Sequence, residues 1–255
     1  MTLPRVVAPE TLDHLAPADP AAQRSRRDLA RIHRVMATRR VVARGWQGLL
    51  CAPRVSALLN APLNTPLNVL EIGAGDGTLL LGVAQQLAPT WPRVQLTLRD
   101  RQRVVSPATL AAYASFGWSA TVQTVDVLDW ASPSAGLATA QANAPWDLIT
   151  TSLFLHHFEG AQLDTVLAAV ATRALRFFAC EPRRVWRALA GSHLVGAMGA
   201  NAVTRADAVL SVRAGFRAQE ITARWPGTGT GTWQCQEYPA GLFSHCFSAR
   251  RVRMS

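Results

Sequence analysis

The chain of 255 residues has no lysine at all: its 26 basic residues are all arginine. That excludes a phosphate-binding P-loop, which needs a Gly-Lys-Ser/Thr ending. Acidic residues are few, 16 in total, so the formal net charge is +10. Such a balance favours acidic partners such as nucleic acid, membrane headgroups or anionic metabolites, or a solvated arginine surface, and says nothing of fold. Charged residues make up only 16% of the chain against 49% hydrophobic, which excludes a disordered polymer and leaves ample material for a core. Cysteine is scarce: Cys51, Cys180, Cys235 and Cys246 lie far apart with no paired metal spacing. The N-terminus lacks an apolar signal stretch, so reduced thiols in the cytoplasm are the expectation. No run reaches the roughly 18 apolar residues of a spanning helix, which leaves peripheral contact as the one membrane association to consider.

What is present is organised by position. Pro4, Pro9, Pro17 and Pro20 break up residues 1–21, which read as a tail or extended lead-in. From Gln23 to about Leu59, Leu29, Ile32, Met36, Trp46 and Leu50 recur at helical spacing among Arg26, Arg27, Arg31, Arg34, Arg39, Arg40 and Arg44. One or two amphipathic basic helices are expected there, packing an apolar stripe on the main domain, covering a site mouth or meeting a membrane surface. The division is thus a tail and basic helical cap at 1–60 and a single domain at 61–255. Within the latter, strand-like runs at 68–72, 94–98, 121–125, 146–152 and 175–180 alternate with helix-like runs from Thr78 and at 106–115, 132–143 and 160–172. This alternation predicts an α/β fold, a doubly wound, mostly parallel sheet with helices on both faces. Residues 183–216 read as a helical insertion. The Gly227–Gly231 turn then sits between strand-like segments 219–225 and 232–238 as a hairpin tip, with a last strand at 243–249 completing an antiparallel edge.

The most informative stretch is Val69-Leu70-Glu71-Ile72-Gly73-Ala74-Gly75-Asp76-Gly77-Thr78. A buried strand entering three alternating glycines and then a helix lets a ligand lie against the backbone with its anionic end at a helix N-terminus. A dinucleotide fingerprint wants its third glycine where Thr78 stands. The Glu71-x-Gly73-x-Gly75-x-Gly77 pattern instead resembles the first motif of the class I S-adenosylmethionine-dependent methyltransferases, and Asp100 and Asp126 close the next two strands as that resemblance requires. The likeness covers about residues 60–185. It implies S-adenosylmethionine as cofactor, with Glu71 at its amino-acid end, Asp100 on the ribose hydroxyls and Asp126 near the adenine amino group. Val127 and Leu128 would supply apolar walls, with Ala74, Arg101, Ser152 and Leu153 around it.

Asp147 to Phe158 resembles the fourth strand and following loop of methyltransferases acting on quinones, polyketides and other small molecules. No Asn/Asp-Pro-Pro-aromatic tetrad is present, which counts against DNA as substrate. His156 and His157 are the candidate catalytic bases; the alternative is that one caps the next helix and the other packs under the cofactor. No metal ligand set is apparent, because this loop offers only Glu159, and Glu181 after the fifth strand either orients the acceptor or enters an ordinary loop. Trp225, Trp233 and Tyr238 line an aromatic-accepting pocket or belong to the core. The resemblance therefore implies methylation, at oxygen, of a small aromatic or polyketide-like metabolite, with the covering segments setting specificity. The alternatives are an RNA or protein acceptor, or a non-catalytic cofactor-binding module. The oligomeric state is not read from the sequence.

Overall fold

A computed structural model describes residues 3–50, 66–132, 145–227 and 231–252. The parallel strands are β1 (Leu67–Ile72), β2 (Val94–Asp100), β3 (Trp118–Thr124), β4 (Leu148–Ser152) and β5 (Arg176–Pro182). With the antiparallel β6 (Trp233–Ala240) and β7 (Ser244–Arg251) they form one seven-stranded sheet of order β3-β2-β1-β4-β5-β7-β6. The central strands carry apolar side chains on both faces, as helix-covered parallel strands require. Val69 and Phe178 point into one core with Leu96, Trp118 and Cys246; their chain neighbours Leu70 and Phe177 point into the other with Ile149, Val166 and Phe247.

The helices are α1 (Pro20–Val35), α2 (Thr38–Leu50), α3 (Thr78–Leu87), α4 (Pro107–Ser115), α5 (Val127–Ala131), α6 (Gly160–Arg173), α7 (Trp186–His193) and α8 (Ala202–Ala214). Local chemistry starts several of them. Asp19 accepts from Ala21 N–H and Ala22 N–H with Pro20 at the first position of α1, Ser106 caps α4 ahead of Pro107, and Asn201 caps α8. Helix α2 belongs to the main core. Trp46 is fully buried, stacks at 6.2 Å on Trp118 and 5.8 Å on Trp91, and donates from its indole to Thr150 Oγ1 at 3.3 Å. The basic cap and the sheet thus share one hydrophobic cluster.

Several expectations are corrected. Segment 219–225 is not a strand: it forms tight turns around a 3-10 turn at Thr222–Arg224. The Glu237 carboxylate accepts from Ile221 N–H at 3.1 Å and from Thr222 N–H and Oγ1 at 2.7 Å, so these donors do not enter a ladder. The hairpin is β6–β7, turning at Gly241–Phe243, and most of the tip expected at Gly227–Gly231 lies outside the described residues. Strand β3 begins at Trp118, three residues ahead of the expected start, and the helix expected at 132–143 falls almost wholly outside the described residues. Of the three aromatic residues read as pocket wall or core, Trp225 is core beside Phe177 and Phe247, partly buried Trp233 packs against it, and Tyr238 is exposed on β6.

The lead-in at residues 3–14 is ordered against the C-terminal half. Val6 N–H donates to Arg213 O at 3.1 Å. Arg5 donates to Ala214 O at 2.8 Å and Phe158 O at 2.9 Å with its guanidinium 4.4 Å from the Phe216 ring centre. The Asp207 carboxylate accepts from Thr11 N–H and Leu12 N–H at 2.9 Å each. Buried Asp28 ties α1 to the start of α8, accepting from Asn201 N–H at 2.8 Å and pairing with Arg31. Among the described residues no helix is long and apolar enough to cross a membrane.

Candidate functional site

Strand order reverses at β1, with β2 on one side and β4 on the other, and ligands of doubly wound folds bind beyond the strand C-termini at such a switch point. A cavity of about 750 Å³ opens there, within the range of small-molecule sites. Its floor is the glycine loop, anchored where Gly73 N–H and Ala74 N–H donate to Arg99 O at 2.9 and 3.1 Å. Gly75 has φ +54° and a side chain there would meet nothing within 4 Å, so the loop leaves open volume over its backbone. At Gly73 (φ +75°) a Cβ would fall 2.2 Å from the Phe154 ring. Gly77 does not line the cavity; it starts α3 at φ +73° behind the loop, its carbonyl accepting from Tyr113 at 2.7 Å.

The other residues assigned to a cofactor, Glu71, Asp100, Arg101, Asp126, Val127, Ser152 and Leu153, all border this cavity. Asp100 accepts from Gly75 N–H at 2.9 Å and Gln102 N–H at 2.8 Å, joining the loop to the end of β2. Asp126 caps α5 through Leu128 N–H at 2.8 Å while exposed on the cavity wall. Glu71 is 2% exposed and its Oε2 has no partner. Burial, then the neighbouring Asp100 and Asp76 carboxylates, push its carboxyl well above the usual range. Ser152 Oγ is also buried and unpartnered, and Leu153 holds a left-handed backbone at φ +56°, a conformation that costs a non-glycine residue about 1–2 kcal/mol and concentrates at functional sites. Open backbone, unsatisfied buried oxygens and accumulated negative charge fit a ligand carrying cationic groups, as a sulfonium with an α-ammonium does.

The opposite end holds a linked polar cluster. Glu181, fully buried, accepts from Phe154 N–H, Leu155 N–H and His156 N–H and from His156 Nδ1 at 2.9 Å. Glu181 therefore shapes the turn after β4. His156 Nε2 meets Glu10 Oε1 at 3.3 Å, and His157 Nδ1 meets Asp13 Oδ2 at 3.0 Å. Burial disfavours charge on His156, but hydrogen bonds and attraction from Glu10 and Glu181 outweigh it and raise the imidazole to about 9. Both nitrogens of His156 being engaged, a proton-accepting role for it at neutral pH is not supported by this geometry. Burial likewise opposes ionisation of Glu10 and Asp13, and their histidine partners win, holding both carboxyls below their ordinary values.

Glu10 and Asp13 were not anticipated as site residues. The available signal was that three of the chain's 16 acids, Glu10, Asp13 and Asp19, fall in the first 20 residues, in a segment whose prolines suggested only a tail. His33 was also missed. It borders the cavity, its Nδ1 is unpartnered, and burial lowers it to about 4, so it is neutral at physiological pH. Arginines of the basic helices are partly spent internally: Arg39 donates to Thr78 O, and Arg26 to Gln102 and Pro17 O.

No protein-family model matches the chain, and no curated protein sequence matches it. Solved structures do. Three structures of the plantazolicin methyltransferase BpumL superpose on it. In complex with SAH the TM-score is 0.58 at 13% identity, over 92% of each chain. With SAH and a monoazolic desmethylPZN analog it is 0.60 at 13% identity, over 92% of each chain. With SAH and a pentazolic analog it is 0.58 at 12% identity, over 92% of this chain and 93% of that one. The strand order, the glycine loop at the switch point and this superposition agree that the chain has the class I methyltransferase fold.

Proposed function

We propose that the protein is an S-adenosylmethionine-dependent methyltransferase acting on a small acceptor held between the glycine loop and the N-terminal strap. The observation that carries this reading is the open volume over Gly75 beside the unpartnered Glu71 carboxyl. When bound, S-adenosylmethionine would supply an activated sulfonium methyl for in-line transfer to the acceptor oxygen, the S–C electron pair staying on sulfur and the acceptor's proton passing to solvent. The chain's own part is binding, orientation and exclusion of water, which is most of what such a transfer needs. Glu71 receives the cationic amino-acid end, Asp100 the ribose hydroxyls, and Asp126 with Val127 and Leu128 the base. Residues 3–14 with α1, α7 and α8 cover the acceptor, with apolar walls from Leu29, Met36, Val195 and Met198. That lining suits an aromatic or polyketide-like metabolite, and oxygen is the acceptor atom we assign. Free thiols at Cys180, Cys235 and Cys246 accord with the cytoplasmic setting we assign to it.

Calorimetric titration with S-adenosylmethionine tests the reading. The folded protein should bind one equivalent, and Asp100→Asn should weaken binding at least tenfold; no binding by the wild type defeats it. A companion prediction concerns Gly75→Val. A branched side chain at φ +54° adds about 1–2 kcal/mol of backbone strain and projects into the cavity rather than into protein. Cofactor binding should be abolished while circular dichroism and cooperative melting persist; retained affinity would show that the loop is not the site.

A further inference from the structure

The two adjacent histidines have matching surroundings. Each Nδ1 faces its own carboxylate, Glu181 for His156 at 2.9 Å and Asp13 for His157 at 3.0 Å. Both Nε2 atoms then converge on a third carboxylate, with His156 Nε2 3.3 Å from Glu10 Oε1 and His157 Nε2 3.9 Å from Glu10 Oε2. All three potential ligand atoms lie within 4.8 Å of one another. Ligands about 2.1 Å from a tetrahedral ion lie about 3.4 Å apart; the Glu10–His156 edge is already at that separation, the Glu10–His157 edge is at 3.9 Å, and ion binding draws His157 inward. A metal-binding imidazole characteristically gives its second nitrogen to a carboxylate, which fixes the ring and raises its basicity; here both imidazoles have that support.

We propose that Glu10, His156 and His157 form a divalent metal site of the zinc class, with its remaining coordination position open to the cavity. Two imidazoles and one carboxylate suit such an ion. Ser211 anchors Glu10 from α8 by a hydrogen bond to Oε1, and binding exchanges the proton shared between Glu10 and His156 for the ion. The inference deepens the methyltransferase reading and rests on it for one step only: the open position takes an oxygen of the acceptor. As a Lewis acid the ion lowers the pKa of a bound hydroxyl, and the released proton goes to solvent. An acceptor with a single ionisable hydroxyl is then the class preferred.

The sequence hid this site because the ligands lie about 146 positions apart and the adjacent loop offers only Glu159. The test uses the full chain stripped with chelator. Zinc titration, followed by cobalt(II) as a spectroscopic probe, should show one equivalent bound with visible ligand-field absorption. Glu10→Gln and His157→Ala should each weaken that binding at least tenfold while keeping cooperative melting and S-adenosylmethionine affinity. Absence of stoichiometric zinc and cobalt binding overturns the proposal, as does affinity unchanged in both variants. Should a variant not fold, His157→Gln, at a position that is not fully buried, provides the second measurement with the same two outcomes. Metal bound by a protein that fails to bind S-adenosylmethionine would sustain the metal site and defeat the methyltransferase reading.

Discussion

Glu71→Gln should make the cofactor-free protein more stable and the cofactor complex weaker. The buried carboxyl has an unpartnered oxygen, and both burial and the nearby Asp100 and Asp76 charges oppose its ionisation. Its folded-state pKa is raised above the ordinary value of 4.5. A group shifted in that direction binds more protons when folded than when unfolded, so stability declines as pH rises from the unfolded pKa through the folded one. The amide carries no such penalty. A higher Tm at neutral pH, with the difference from wild type shrinking as pH falls toward the unfolded carboxyl's range, is expected. In the complex the sign reverses, because a cationic ligand end favours the carboxylate. Binding to the wild type should therefore release a proton, seen as a dependence of calorimetric enthalpy on the ionisation enthalpy of the buffer. In the variant that release should vanish and affinity should fall at least tenfold. Equal affinity with no proton linkage in either protein would show that Glu71 does not face the ligand's charge. Burying an unsatisfied acid at a fixed site costs stability, and proteins retain such groups where they act.

Glu181→Ala should be among the most destabilising single changes in the chain. It strands three backbone N–H donors, those of Phe154, Leu155 and His156, together with the His156 imidazole. Removing one partner of a buried charge pair costs about 3–5 kcal/mol, and chemical denaturation should show a loss of that size. The pH profile gives an independent check. His156 has its pKa raised to about 9 from 6.5, so its stabilisation is fully present below pH 6.5 and is lost as pH rises through 9. That limb amounts to about 3 kcal/mol for a buried group. Glu10 and Asp13 are shifted down, so their stabilisation is present above their unfolded values and lost as pH falls through the folded ones. Wild-type stability in chelator should accordingly be greatest between these two limbs. In Glu181→Ala the alkaline limb should flatten, because the imidazole has lost one of the carboxylates that hold its proton. An alkaline limb of undiminished size in the variant would mean that other groups produce it.

The βα alternation, the glycine loop and the acids that close β2 and β3 were legible in the sequence. Each is local: a buried strand, its terminal turn and the following helix lie within about a dozen residues, and their periodicity and turn chemistry are set by near neighbours. The edge hairpin was legible in kind, but its first arm was misplaced: the Glu237 carboxylate, 15 positions from Thr222, takes the donors of 221–222 that a strand would have put into a ladder. The acceptor side of the cavity was not legible. Glu10 reaches His156 across 146 positions and Asp13 reaches His157 across 144, and no local period records a contact of that length. Position in sequence alone determined the five parallel strands and the glycine loop that leaves open volume over Gly75. Tertiary packing decided which charges line the far end of the cavity, because Asp207 and Arg5 hold residues 3–14 against α8 and the turn after β4, and only then do three carboxylates meet two imidazoles.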